Sequence, residues 1–215
     1  MATDTAGRRS QAERTAGTRD ALFAATIDCL VEVGYARTTT REVALRAGVS
    51  RGAQTHHFPT KADLVVGAVE HLFDQQARGF RSAFTALPAE SRTLDQAVAL
   101  LWEIVSGPSY AAVLELTVAA RTDPELRVVV HGMSAVLEQT VAELLRELFP
   151  ALADDDALAR TVIDLGFTLV QGAAVSRYAG YGDPDHTIRL VQSLAELITP
   201  DTVDILRGTL DVIDH

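Results

Sequence analysis

Cysteine is almost absent from this 215-residue chain: Cys29 stands alone. One thiol can neither close an intramolecular disulfide nor build a cysteine-rich zinc site, so a disulfide scaffold and a zinc finger are excluded and a reducing cytoplasm is expected. No stretch of about 18 apolar residues runs free of charge, as a membrane-spanning helix would need. The most signal-like segment, residues 21–34, carries Asp28 and Glu32 and lacks a small-residue cleavage pattern after it. No repeat of roughly 20 to 50 residues marks a solenoid. Nothing alternates as a strand does. What is present is a chain 47% hydrophobic with mean hydropathy +0.12, too apolar to stay disordered and long enough for one large domain or two small ones.

The formal charge of -10 argues against a nucleic-acid partner only until its distribution is read. Residues 1–62 are net +3 and the remainder is net -13. Salt screens charges over about 8 to 10 Å, so phosphate responds to the local potential and the N-terminal third is the candidate.

Residues 1–13 lack a hydrophobic period and are expected to form a disordered arm. From residue 14, apolar residues including Leu22, Phe23, Ile27 and Leu30 recur at helical spacing until Gly34 stops the run. Thr39 with Glu42 has capping-box spacing for a short second helix, Ser50 opens a third that Pro59 must end, and Thr60 with Asp63 opens a longer fourth. Beyond Pro88, apolar stripes over 93–105, 109–121, 124–149, 155–179 and 185–198 are separated by Gly, Pro and Asp breakers, with a weaker helix over 201–213. The expected fold is all-α.

Helices two and three are joined by Ala47-Gly48-Val49-Ser50, which supplies a small residue at the crossing, a glycine able to take positive φ and an apolar plug. That is a helix-turn-helix over 39–58 packed on the first helix. Its third helix presents Arg51, Gln54 and Thr55, which suit base edges, and Gly52, which lets the backbone approach; Arg41 adds charge nearby. Hydroxyls and N–H groups at helix starts suit phosphate, which singles out Thr38, Thr39, Ser50 and Thr60. Lys61, the chain's one lysine, lies in a first helical turn, where positive charge opposes the helix dipole and a phosphate partner would explain it.

The stretch GYARTTTREVALRAGVSRGAQTHHFPTKADL, residues 34–64, resembles the N-terminal domain of the TetR/AcrR family of transcriptional regulators, the likeness spanning about residues 14–76. The resemblance implies base contacts at Arg51, Gly52 and Thr55 and backbone contacts at Thr38, Thr39, His57 and Lys61. Gln54-Thr55 stands where the family usually has an apolar residue and a tyrosine, so His56 or Gln54 takes over part of the aromatic's role, or the operator differs there. Residues 77–215 then correspond to a helical ligand-binding and dimerisation domain. The implied partners are a double-stranded operator of inverted half-sites, a small-molecule effector and a second copy of the chain, with no cofactor.

Small residues Gly166, Gly172, Ala173 and Ala174 permit close helix contact, and the helices over 155–179 and 185–198 are expected to form the dimer bundle. Large or polar-tipped residues interrupting the stripes, Phe84, Trp102, Tyr110, His131, Met133, Phe167 and Gln171, are the candidate ligand contacts. Adjacent helical residues point about 100° apart, so His56-His57 cannot chelate one ion together, and no metal-binding spacing occurs elsewhere. A binding module without DNA activity and an all-helical enzyme using His131 stand as rivals, though no partner carboxylate for His131 can be named.

Overall fold

The computed structural model describes residues 11–149 and 156–198, which contain helices and no strand. Helix α1 spans Gln11–Arg37 and is interrupted at Gly34, whose φ of 77° only glycine adopts without strain. The expected arm therefore ends earlier than residue 13; its residues 1–10, like the expected helix over 201–213, lie outside the described residues.

At the starts of α2, α3 and α4 the caps fall where the sequence puts hydroxyls, whereas Thr93 and Ser109, before the next two α-helices, make no side-chain cap. Thr39 accepts the Glu42 N–H at 3.2 Å to start α2, Thr40–Arg46, and Ser50 accepts that of Ala53 at 3.2 Å to start α3, Arg51–His57. The full reciprocal box forms at Thr60 and Asp63, opening α4, Lys61–Ala86. A 3-10 turn at Ala89–Ser91 leads to α5, Leu94–Val105, and α6, Tyr110–Ala119. Then come α7, Pro124–Leu148, α8, Asp156–Ala179, and α9, Pro184–Glu196, the last capped by Asp183.

Two apolar cores organise these helices. The first joins Leu22, Phe23 and Leu30 of α1 to Val43, Phe58 and the Leu64-Val65-Val69 ridge of α4, then continues through Leu116 of α6 to Leu126 and Met133 of α7. The second gathers Val105, Tyr110, Val170, Ile188 and Val191 from α5, α6, α8 and α9. Each fully buried large side chain contributes about 1.5 to 3 kcal/mol of transfer free energy. Since α4 runs unbroken past residue 76 and the first core reaches α6 and α7, the N-terminal and C-terminal regions share a helix and a core.

Ala173 and Ala174 are buried inside this second core, so these small residues let α8 approach its neighbours in the same chain rather than a second copy. The outward apolar residues of α8 and α9 are larger: Leu165, Val175, Leu190 and Leu194 are 39% to 58% exposed. Among the described residues no single helix is long and apolar enough to cross a membrane; the apolar pair α5 and α6 is bent by 72°.

Candidate nucleic-acid interface

The turn between α2 and α3 is built on Gly48, at φ 65°, while Val49 tucks into the angle against the first core and its N–H bonds Ala44 O at 2.9 Å. This fixes which face of α3 looks outward. Arg51, Gly52, Thr55 and His56 are exposed, with Arg51 and Thr55 one helical turn apart; His57 is half-buried. Gln54 faces the other way. It is 2% exposed, and its Nε2 donates to Phe58 O at 2.7 Å, closing the end of α3.

The expected base contact at Gln54 is therefore corrected: this amide replaces the family's usual apolar residue as part of the core, its polarity satisfied by a carbonyl of its own helix. His56 is the aromatic ring left on the exposed face.

The arginines divide by occupation. Arg46 pairs with Glu32 at 2.6 Å and Arg37 donates to Val33 O at 2.9 Å, whereas Arg41 on α2 and Arg51 on α3, both exposed, have no partner among the described residues. Thr39 and Ser50 are exposed caps whose oxygens accept from the backbone, which leaves each hydroxyl proton free to donate outward. Thr60, also exposed, donates its hydroxyl to Asp63. Thr38 is corrected: it is 2% exposed and its hydroxyl donates to Gly34 O at 2.8 Å, so it buttresses the α1 break instead of facing solvent.

Lys61 is also accounted for within the chain. Its ammonium donates to Tyr35 O and sits 3.7 Å from the centre of the Tyr35 ring, and burial pushes its pKa below the ordinary lysine value. That carbonyl offsets part of the cost of its place at the helix start and leaves two of the ammonium's three donors uncommitted.

Sequence reasoning missed the other half of this junction. Glu115, half-buried on α6, accepts the Tyr35 N–H at 2.8 Å, and a Cβ on Gly34 would come within 2.6 Å of its carboxylate. The signal was a lone carboxylate inside the apolar run YAAVLELTVA.

Helices α4, α5, α7, α8 and α9 surround a cavity of about 630 Å³ that is partly open to solvent. Of the seven candidate ligand contacts, Tyr110 and Phe167 line it. The other five are corrected. Phe84 is fully buried, its ring stacked at 6.0 Å on Phe80; Trp102 lies beneath Arg177; Met133 belongs to the first core; and His131 is exposed on α7. Gln171 is not among the lining residues; the pKa of the Tyr110 phenol near it is pushed up to about 12, chiefly by burial. The rest of the wall is largely Leu, Val, Ala and Phe at ordinary core spacing. Among the described residues no three His, Cys, Asp or Glu side chains converge as a metal site would need.

With this geometry in view, comparison with known proteins gives a consistent result. The family described as bacterial regulatory proteins, tetR family, matches residues 22–68. The HTH-type transcriptional regulator CymR of Pseudomonas putida is 35% identical over 173 residues, covering 78% of this chain and 83% of that protein. The HTH-type transcriptional repressor AcnR of Corynebacterium diphtheriae is 28% identical over 170 residues, 79% and 85% of the respective chains. The crystal structure of a putative TetR-family regulator from Rhodococcus sp. superposes with a TM-score of 0.67 at 18% identity, covering 85% of this chain and 98% of that one.

Proposed function

Because this chain belongs to the TetR family of bacterial regulatory proteins, a DNA-binding transcriptional regulator family, we propose that it is a cytoplasmic, non-enzymatic repressor. In this reading it binds an inverted-repeat operator as a homodimer and is released by a small-molecule effector. The observation that carries the DNA half is the outward face of α3, where Arg51 and Thr55 are exposed while Gln54 secures the helix from beneath. Arg51 has the fork that reads guanine in the major groove, Thr55 and His56 lie beside it, and Gly52 leaves room for the backbone. Thr39, Ser50 and Arg41 meet phosphates, with His57 at the edge.

Val175 of α8 and Leu190 of α9, exposed and outside the cavity wall, support pairing with a second copy, which would set two α3 helices about 34 Å apart in successive major grooves. The cavity supports effector control. Its wall includes Phe73, Gln76 and Phe80 of α4, whose other end holds the Lys61–Tyr35 contact. Tyr110 reaches it from α6, five residues before the Glu115 carboxylate that holds Tyr35. A ligand acts by favouring a dimer whose α3 helices are wrongly spaced, and a swing from 99:1 to 1:99 needs about 5.5 kcal/mol of differential affinity.

A mobility-shift assay on DNA flanking the protein's own gene tests the reading. A specific complex that survives excess unrelated DNA is expected. Binding no tighter than to unrelated DNA would overturn it.

A further inference from the structure

The cavity's wall is more specific than its existence. Among its described lining side chains there is no carboxylate, no arginine, no lysine and no histidine. The one titratable group among the described lining residues, the Tyr110 phenol, is neutral at neutral pH, and burial pushes its pKa further up. Two charges next in sequence to lining residues, Arg81 after Phe80 on α4 and Glu147 before Leu148 on α7, are bonded to each other at 2.9 Å and do not line the space. A charged group lodged against this wall would meet no counter-charge among the described lining residues.

What the wall offers instead is hydrocarbon and rings, with Phe73, Phe80, Phe149 and Phe167 among the lining residues. Its neutral polar groups are few. The Thr140 hydroxyl is spent on Val136 O at 2.9 Å, whereas the half-buried Gln76 amide, on α4, has no hydrogen-bond partner among the described residues. A volume of about 630 Å³ lies within the range of roughly 300 to 1,000 Å³ that holds drug-sized molecules.

We propose that this cavity takes an uncharged, predominantly hydrocarbon molecule bearing one neutral hydrogen-bonding group, which meets the Gln76 amide. The assignment deepens the effector-controlled reading above and rests on it. Its test reads ligand binding alone, so failure of DNA binding would sink that reading while leaving the cavity's selectivity measurable.

The experiment uses the intact protein and the neutral fluorescent probe N-phenyl-1-naphthylamine, displaced at neutral pH by three ligands of one chain length: 1-decanol, decanoate and decylammonium. The alcohol is expected to displace the probe at a concentration at least about tenfold below either ion, since each tenfold step is only about 1.4 kcal/mol. In Gln76→Arg the order should turn, decanoate gaining at least about tenfold on decanol as the guanidinium supplies the missing counter-charge. The wild-type series decides the neutral-ligand claim even if that variant fails to fold. Absence of probe binding, either ion matching the alcohol in the wild type, or a folded Gln76→Arg with the original order would each overturn the proposal.

Discussion

The Glu115 carboxylate, halfway along α6, accepts the backbone N–H of Tyr35 at 2.8 Å, immediately after the residue where α1 breaks. Gly34 is required there by its φ of 77°, and the Glu115 carboxylate lies where a Cβ would point. On the other side of Tyr35, its carbonyl receives the Lys61 ammonium from the first turn of α4. The peptide that leads into α2 is thereby held between the two helices that also reach the cavity.

Replacing Glu115 by alanine should therefore cost about 1.5 to 3 kcal/mol, the usual loss for a hydrogen bond to a charged group. It should also weaken the response of operator affinity to ligand. Glu115→Gln retains an acceptor and should recover part of both. Thermal melts and operator titrations with and without ligand check this; an unchanged melt in Glu115→Ala would remove the junction from the account.

Arg51 and Gln54 are three residues apart and should fail in opposite ways. Arg51→Ala is expected to leave the melting temperature unchanged and cost about 1 to 3 kcal/mol of preference for the operator, with most of the salt dependence retained. Gln54→Ala removes the partner of a buried carbonyl and should destabilise by about 1 to 3 kcal/mol without altering which bases are preferred. Melts paired with binding to operator variants at two salt concentrations separate the two.

Much of this was legible from residue order alone. The caps at Thr39, Ser50 and Thr60 and the stops at Gly34 and Gly48 need only local chemistry, and they recur in the structure where the sequence places them. Side-chain direction was less legible. Gln54 and Thr38 look like DNA contacts because both are polar beside a recognition motif, but each finds a carbonyl four residues away and turns inward. Lys61 and Glu115 engage a partner from another helix, an arrangement that no local pattern encodes. The cavity was hardest to see, since Leu101 or Val98 at its wall has the same spacing as a leucine in solid core.

Leu190, 53% exposed on α9 and outside the cavity wall, tests the dimer surface. Leu190→Glu places like charges on both sides of a two-fold contact and should shift sedimentation toward the monomer, with operator binding falling in parallel. A dimer of undiminished strength would move the interface off this face.

Tyr110 should give an alkaline signature. Its folded-state pKa of about 12 lies above the ordinary tyrosine value of 10, so the folded chain holds the proton that the unfolded chain releases first. The associated stability is present below pH 10 and is lost as pH rises through about 12, up to about 2 to 3 kcal/mol in all. Tyr110→Phe should flatten the decline of stability across that window and remove the latest phase of tyrosinate absorbance. Identical alkaline profiles for both proteins would contradict the burial of this phenol.

The most direct test of the central claim is hydroxyl-radical footprinting of the wild-type protein on DNA flanking its own gene. Two α3 helices seated in successive major grooves predict two protected patches related by a dyad and centred about one helical turn, roughly 34 Å, or a multiple of it apart, both lost in Arg51→Ala. A single patch without dyad symmetry, or protection that survives Arg51→Ala unchanged, would contradict it.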